Sequence, residues 1–216
     1  MAHANKQPKN KLKLKRILLL LVFLTNAAAW AQQIVKVSNN YATENKEIQE
    51  LIDFQNIYIE RLNFVGEALK GKYYEINIRE FKNGKPSPKV TLFDGSESDY
   101  FKISLESLSL KFFFSMTDGK LKTYIKGSGF GSKKSYFKLN NDSELYALKD
   151  FFGSNEFLEI NIASETDIPI FAIITPTIHK DGSGSYCEVV QSDIKPENLG
   201  THFKIPHYFL VSIRFK

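Results

Sequence analysis

The sequence predicts a mostly β protein, an antiparallel β-sandwich built from repeated hairpin units, with one short helix near its start and a cleavable signal peptide before it. Three observations predict this: a basic and then apolar N-terminus, alternation of apolar and polar residues after residue 72, and Asn-Gly or Asp-Gly dipeptides between the alternating segments. Successive side chains of a strand point to opposite faces, so alternation indicates strands with one buried face. Two layers of such units can bury these faces against each other, as in a sandwich.

The first 31 residues have the organisation of a signal peptide. Six basic residues precede eight uninterrupted apolar ones at 17–24, and Ala29-Trp30-Ala31 fits the small-x-small cleavage pattern. The apolar run is shorter than the ~20 residues that a membrane-spanning helix needs. We therefore expect cleavage after Ala31 and one mature domain of residues 32–216, periplasmic or extracellular. The junction Ala31-Gln32-Gln33 resembles that of exported proteins of Gram-negative Bacteroidota, and this resemblance implies a bacterial envelope.

Removal of the leader also removes the excess positive charge. The whole chain has 29 basic and 24 acidic residues, and loss of the six basic residues in the leader leaves 23 against 24. A basic surface is typical of proteins that bind nucleic acids, so we expect no nucleic-acid partner. The chain has one cysteine, Cys187, which excludes an internal disulfide. We expect Cys187 either to be buried as a small apolar residue or to form an intermolecular link.

The elements of the mature domain follow in order. Ile48, Leu51 and Ile52 have helical spacing behind an acidic start, which predicts a short helix over residues 45–54, and a strand follows from residue 57. Residues 72 onward alternate. The alternating segments lie at 74–79, 108–112, 158–162 and 209–215.

Turn residues separate these segments. Asn83-Gly84 and Asp118-Gly119 are dipeptides that tolerate positive φ at both central positions of a two-residue hairpin turn. Pro169 and Pro176 lie in the apolar run 168–177, and because proline cannot donate to a sheet ladder, this run should be an edge or irregular strand.

A short motif of aromatic, Phe, Lys and apolar residues occurs three times, at residues 100–103, 136–139 and 202–205. One interpretation is architectural: Phe enters the core, Lys stays in solvent, and the segment leads into the next strand. The other is a recognition stripe of aromatic and lysine side chains. The variable spacing and the absence of a basic excess favour the architectural interpretation.

Residues with chemical potential form no complete motif. The glycine-dense stretch 127–131 lacks the following helix and the Gly-Lys-Ser/Thr sequence of a phosphate-binding loop. The histidines and acidic residues do not have the spacing of zinc or calcium ligands, so we expect no metal and no cofactor. One loop contains the residue types of a hydrolase site. These residues are His179, Asp181, Ser183 and Ser185.

The leading functional hypothesis is an exported, non-enzymatic binding or interaction module whose ligand is a protein or a glycan. A first alternative is a secreted hydrolase using residues 179–185, which requires a base within hydrogen-bond reach of a serine. A second is a small outer-membrane β-barrel, because the apolar face of 209–215 ends at the penultimate residue, Phe215. An exposed patch of Tyr or Phe side chains would favour ligand binding.

Overall fold

The computed structural model describes residues 33–41, 43, 45–152, 155–179, 182–186, 189 and 193–216. The proposed leader, Asp181 and Cys187 lie outside these residues. The described residues are mostly β and the sheets are antiparallel, which confirms the prediction of a mostly β, antiparallel fold. The strands are β1 (Ile34–Tyr41), β2 (Ile57–Val65), β3 (Tyr74–Lys82), β4 (Lys85–Pro86), β5 (Val90–Asp94), β6 (Ser107–Thr117), β7 (Lys120–Gly127), β8 (Phe130–Gly131), β9 (Ser135–Lys138), β10 (Ala147–Asp150), β11 (Phe157–Asn161), β12 (Ile168–Ile174), β13 (Thr177–Ile178), β14 (Gly184–Ser185) and β15 (His207–Phe215).

Most of the described strands belong to two sheets. Sheet 1 has the order β11-β1-β2-β6-β7-β8, and β9 also pairs with β7. Sheet 2 has the order β10-β12-β15-β3-β4, and β5 also pairs with β3. The strands β13 and β14 form a separate hairpin. Along the chain, β1 and β2 belong to sheet 1, β3 to β5 to sheet 2, β6 to β9 to sheet 1, β10 to sheet 2, β11 to sheet 1, and β12 and β15 to sheet 2, so the two sheets are interleaved.

Two helices are present in the described residues, α1 (Lys46–Phe54) and α2 (Leu199–His202). α1 agrees with the predicted helix, and the Asn45 side chain caps it by accepting a hydrogen bond from the backbone N–H of Ile48 at 3.1 Å. Asn56, at φ 49°, then turns the chain into β2. No helix in the described part of the chain is long and apolar enough to cross a membrane.

The two predicted hairpin turns are confirmed. Asn83 and Gly84 have φ values of 50° and 74°, and Asp118 and Gly119 have φ values of 52° and 68°. The flanking residues pair directly, Lys82 with Lys85 and Thr117 with Lys120. Positive φ at both central positions is the geometry whose twist matches that of the adjoining strands.

The largest buried cluster receives side chains from both sheets. Phe112 of sheet 1 meets Phe171 of sheet 2 with ring centroids 5.3 Å apart, and Phe64 meets Phe215 at 5.8 Å, both edge to face. Aromatic pairs in this arrangement add stabilisation beyond the burial of their area.

A second cluster covers the opposite face of sheet 2, where Tyr208 and Leu210 of β15 pack with Leu199 and Ile205. The prediction that residues 209–215 form a strand with one buried face is therefore wrong, because β15 is buried on both faces. The segment that includes α2 covers the face that was expected to contact solvent.

Pro169 lies in a strand that is irregular, as expected, but interior rather than at an edge. β12 lies between β10 and β15, and its pairing with β15 shifts register between Pro169 and Phe171. β10 pairs only with residues from Phe171 onward. Pro169 therefore has a strand partner on one side alone, which is how an interior strand accommodates a residue without an N–H.

The three copies of the short motif differ in backbone structure. Residues 100–103 begin in a 3₁₀ turn, residues 136–139 lie mainly in β9, and residues 202–205 begin with the last residue of α2. The order of exposure is nevertheless the same: the first residue and the Lys are exposed, the Phe is half-buried and the last residue is buried. The exposure of the Phe, the Lys and the final apolar residue agrees with the architectural interpretation of the motif. The repeated hairpin unit remains a prediction.

Candidate functional site

The loop predicted as a hydrolase site forms the end of the β13–β14 hairpin. The backbone N–H of His179 donates to the carbonyl of Ser183 at 2.8 Å, and the N–H of Gly182 donates to the carbonyl of His179 at 3.0 Å. Ser185 pairs with Thr177 in the hairpin ladder. The hairpin thus places His179 and Ser183 in its turn and Ser185 in β14, and Asp181 lies outside the described residues. These backbone bonds shape the turn without supplying the contact between base and nucleophile that acyl transfer requires.

A buried chain of side chains connects Tyr146, His207 and Glu80, and the sequence did not predict it. The Tyr146 hydroxyl lies 2.5 Å from Nδ1 of His207, and Nε2 of His207 lies 2.8 Å from Oε1 of Glu80. Since a carboxylate only accepts hydrogen bonds, Nε2 carries the proton and Nδ1 accepts from the tyrosine. Burial lowers the pKa of His207, and the Glu80 carboxylate acts in the opposite direction. Tyr146 is only 1% exposed, so its hydroxyl cannot reach a substrate.

The Tyr146–His207–Glu80 chain is therefore a structural connection between the segment before β10 and sheet 2. The Tyr146 hydroxyl also accepts a hydrogen bond from the backbone N–H of Asn140 at 3.4 Å. Lys82 donates to Glu80 at 2.9 Å at the solvent end. The signal in the sequence was His207 at the start of a strand with apolar residues on both faces, since a buried histidine requires partners.

A second polar cluster consists of Asn39, Glu60 and Asp150. Nδ2 of Asn39 donates to Oε2 of Glu60 at 2.8 Å and to Oδ2 of Asp150 at 3.3 Å. Burial raises the pKa of Glu60 to about 7, the hydrogen bond from Asn39 lowers it, and Asp150 raises it. Oδ1 of Asn39 is buried without a hydrogen-bond partner among the described residues. No set of three or more His, Cys, Asp or Glu side chains in those residues is arranged to hold a metal ion.

The candidate binding site is a groove of about 320 Å³ beside the start of β6, which we call the Tyr100 groove. Tyr100 and Leu105 are both 67% exposed at this groove. The lining is aromatic, aliphatic and hydroxylic. It consists of Tyr74, Tyr100, Phe101, Lys102, Ile103, Ser104, Leu105, Ser107, Leu108, Ser109, Ser128 and Phe130. Its volume lies within the range of clefts that bind small ligands.

Three phenylalanines support the groove. Phe93 stacks on Phe130 with centroids 4.8 Å apart, and Phe101 meets each of them edge to face at 5.1 Å. Tyr100 extends this set, with its ring edge to face on Phe101 at 5.3 Å. Because these rings come from β5, the 3₁₀ turn and β8, the groove is fixed by contacts between three segments of the chain.

The turn that carries Tyr100 is also fixed. Oγ of Ser98 accepts from the backbone N–H of Tyr100 at 3.3 Å. The hydroxyl of Tyr73 donates to the Asp99 carboxylate, and the ammonium of Lys102 lies 5.3 Å from the centre of the Tyr73 ring. A cation over an aromatic face is attracted to its π electrons, so Lys102 already has a favourable position beside the groove.

Gly129 explains the glycine-rich stretch 127–131. It has φ 77° in the turn between β7 and β8, and a Cβ atom there would lie 2.5 Å from the hydroxyl oxygen of Tyr100. Both the backbone conformation and the close approach of Tyr100 therefore favour glycine. The loop interpretation of this stretch agrees with the structure, and its position against Tyr100 could not be read from the sequence.

No protein-family model matches the chain, and neither a curated protein nor a solved structure is significantly similar to it. A functional assignment therefore depends on the geometry and chemistry of its own residues. Among the sites described above, the Tyr100 groove combines exposure, sufficient volume and fixed walls. The sequence indicated its chemistry only through Tyr100, the first residue of a motif interpreted as architectural.

Proposed function

We propose that the protein is an exported, non-enzymatic binding module and that its ligand occupies the Tyr100 groove. The basic and apolar leader that ends at Ala31 supports export to the periplasm or the cell exterior. The fold proposed for the mature domain is a β-sandwich. Its support is the buried cluster that side chains of both antiparallel sheets share.

The proposed ligand class is a neutral glycan. A sugar ring has apolar C–H faces that can lie on an aromatic ring and hydroxyl groups that exchange hydrogen bonds with serines. The groove offers both: the exposed Tyr100 ring, and the hydroxyls of Ser104, Ser107 and Ser128. The Ser109 hydroxyl already donates to Oδ1 of Asn63 at 2.8 Å and can only accept from a ligand. The observation that carries the proposal is the exposure of Tyr100 at a groove whose walls the phenylalanines hold in place.

The charge of the lining supports a neutral ligand and binding without turnover. Apart from its tyrosines, Lys102 is the one ionisable side chain that lines the groove in the part of the chain that the structure describes, and its ammonium lies over Tyr73. General acid–base catalysis needs a titratable group within hydrogen-bond reach of the reacting atoms. Among the described residues, the lining contains no Asp, Glu, His or Cys to act as a base for its serines. A nucleic-acid backbone would require several cations along the groove.

The test uses the Tyr100→Ala variant on an array of soluble neutral and acidic glycans, followed by calorimetry with a neutral glycan that binds. We expect Tyr100→Ala to weaken binding at least tenfold, equivalent to about 1.4 kcal/mol, because it removes the stacking surface. The control is Tyr136→Ala, which removes an exposed tyrosine at the same motif position on β9, outside the groove. Circular dichroism checks the fold of both variants.

Two results would contradict the proposal. The first is an array on which no neutral glycan binds the mature protein. The second is equal loss of affinity in the Tyr100→Ala and Tyr136→Ala variants, since this would place binding outside the groove.

A further inference from the structure

We propose a second interaction surface, which we call the α1 surface, and we infer that it docks a basic, amphipathic segment of another protein. It consists of an apolar stripe on α1 and an acidic cleft at the end of that helix. This surface is separate from the Tyr100 groove and shares none of its lining residues.

The apolar stripe is formed by Ile48, Leu51 and Phe54, which are 48%, 60% and 82% exposed. Residues three apart lie on one side of a helix, so these side chains follow each other along α1. Ile52 alone on this helix is buried, and it holds α1 against the domain. Amphipathic helices on domain surfaces normally turn their apolar stripe inward. Here much of the stripe faces solvent, and it exposes on the order of 300 Å², comparable to the largest apolar patch of a typical monomer, which is often functional.

The cleft next to Phe54 has a volume of about 530 Å³ and a hydrogen-bonded floor. Nδ2 of Asn56 donates to the carbonyls of Met116 at 2.9 Å and Ser143 at 3.3 Å. The backbone N–H of Gly119 donates to Oγ of Ser143 at 2.9 Å. These bonds join the end of α1, the β6–β7 turn and the segment before β10, so the cleft is preformed.

Carboxylates surround the stripe and the cleft. Three lie on α1 and three line the cleft: Glu47, Glu50, Asp53, Asp118, Asp142 and Glu144. The one basic residue of α1, Lys46, pairs with Glu50 at 3.8 Å. No Lys or Arg is among the residues that line the cleft in the described part of the chain. The described side chains of α1 and of the cleft lining therefore carry more negative than positive charge, which attracts cations.

The apolar stripe and the surrounding carboxylates together indicate which kind of partner the α1 surface can bind. A second copy docking through the same face would bring two sets of six carboxylates together, and like charges across an interface oppose binding. The same repulsion acts against an anionic bilayer. A helical segment with one apolar side and several Lys or Arg residues satisfies both features, because its apolar side can contact Leu51 and Phe54 while its cations lie near Asp118 and Glu144.

The test measures fluorescence anisotropy of a fluorescein-labelled amphipathic peptide of 18 residues made of Leu and Lys, with mature protein as titrant. The matched probe is the same peptide with Glu in place of Lys. We expect the Leu/Lys peptide to bind and its affinity to fall as salt increases, and we expect the Leu/Glu peptide not to bind. The double variant Leu51→Ser, Phe54→Ser should lose at least tenfold in affinity. Both side chains are mostly exposed, so the fold should survive, as circular dichroism can check.

A second pair of variants tests the charge. Asp118→Asn with Glu144→Gln should weaken binding and reduce its salt dependence, and Asn tolerates the positive φ of position 118. Tyr100→Ala should bind the peptide like the unaltered protein, which separates this surface from the groove. Equal binding of the Leu/Glu peptide would overturn the proposal. Unchanged affinity in the Leu51→Ser, Phe54→Ser variant would do the same.

Discussion

Glu60→Gln should stabilise the protein at pH 8 and leave its stability almost unchanged at pH 4. Burial raises the pKa of Glu60 from 4.5 to about 7, so the ionised carboxylate is disfavoured in the folded protein. A carboxyl whose pKa is raised by folding contributes its full stability below the unfolded pKa and loses it as the pH rises through the folded pKa. For Glu60 this loss occurs between about 4.5 and about 7.

The magnitude follows from the two pKa values. A difference of about 2.5 corresponds to about 3 kcal/mol, which the ionised side chain removes from the free energy of unfolding at pH 8. Glutamine has nearly the same shape and no charge to desolvate. Its carbonyl can accept from Nδ2 of Asn39, and its N–H can donate to Oδ1 of Asn39, the buried oxygen that has no partner among the described residues. The same oxygen is a natural acceptor for the protonated carboxyl of Glu60.

The assay is urea unfolding of both proteins at a series of pH values, followed by far-ultraviolet circular dichroism. The sole tryptophan, Trp30, lies in the proposed leader, so tryptophan fluorescence would be absent from the mature chain. Burial lowers the pKa of His207, which makes stability fall as the pH drops below the ordinary value of 6.5. Both proteins contain His207, and the difference between them therefore isolates Glu60.

The control for this experiment is Glu50→Gln, because that side chain is mostly exposed on α1. It should show no pH-dependent difference from the unaltered protein. A Glu60→Gln variant whose stability differs from the unaltered protein by the same amount at pH 4 and pH 8 would refute the reasoning. A variant that is less stable at pH 8 would refute it too.

Two further predictions concern the buried hydrogen bonds and the leader. Tyr146→Phe should lower the free energy of unfolding by about 1–3 kcal/mol, because Nδ1 of His207 loses its hydrogen-bond donor. The control Tyr136→Phe, at an exposed position, should have little effect. Urea unfolding measures both variants, and an unchanged stability of Tyr146→Phe would contradict a structural role for this hydrogen bond. Intact mass spectrometry of the exported protein should show a chain that begins at Gln32. Ala31→Leu should leave the precursor uncleaved, because it breaks the small-x-small pattern. A mature protein that retains residue 31 would contradict the predicted cleavage site.

The features that the sequence predicted well are those set by neighbouring residues. Asn83-Gly84 and Asp118-Gly119 determine their own turns, because few other dipeptides accept positive φ twice in succession. The spacing of Ile48, Leu51 and Ile52 behind an acidic start similarly predicted α1. In each case the physical cause lies within a few positions along the chain, and the pattern was therefore visible.

The errors arose where packing between distant segments decides burial. Leu210 was assigned to the solvent face of its strand, but Leu199 and Ile205 cover it. Pro169 predicted an edge or irregular strand, and β12 is irregular there, but it lies inside sheet 2 because its short neighbour β10 pairs only from Phe171 onward. Neither arrangement has a signature in the local sequence, because periodicity reports how residues alternate and not what covers each face.

The candidate sites were hidden for the same reason. His207 meets Tyr146 and Glu80 from positions 61 and 127 residues away. To predict the Tyr100 groove, one would need to know which of the 18 phenylalanines and 10 tyrosines remain exposed. The alternating pattern assigns most of them to the core. Tyr100 stays 67% exposed although its ring contacts Phe101, and this is a property of the folded chain.

The pairing of β3 with β15 has a consequence for how the chain folds. These strands run side by side from the Tyr74–Phe215 pair to the Lys82–His207 pair, so their contact closes a loop of more than a hundred residues. Such closure carries a large entropic penalty and slows folding, whereas the β6–β7 hairpin closes through two residues. We expect that hairpin to form early and the centre of sheet 2 to assemble late. Until then β3 presents an open edge to neighbouring chains, and dilute refolding conditions should improve recovery.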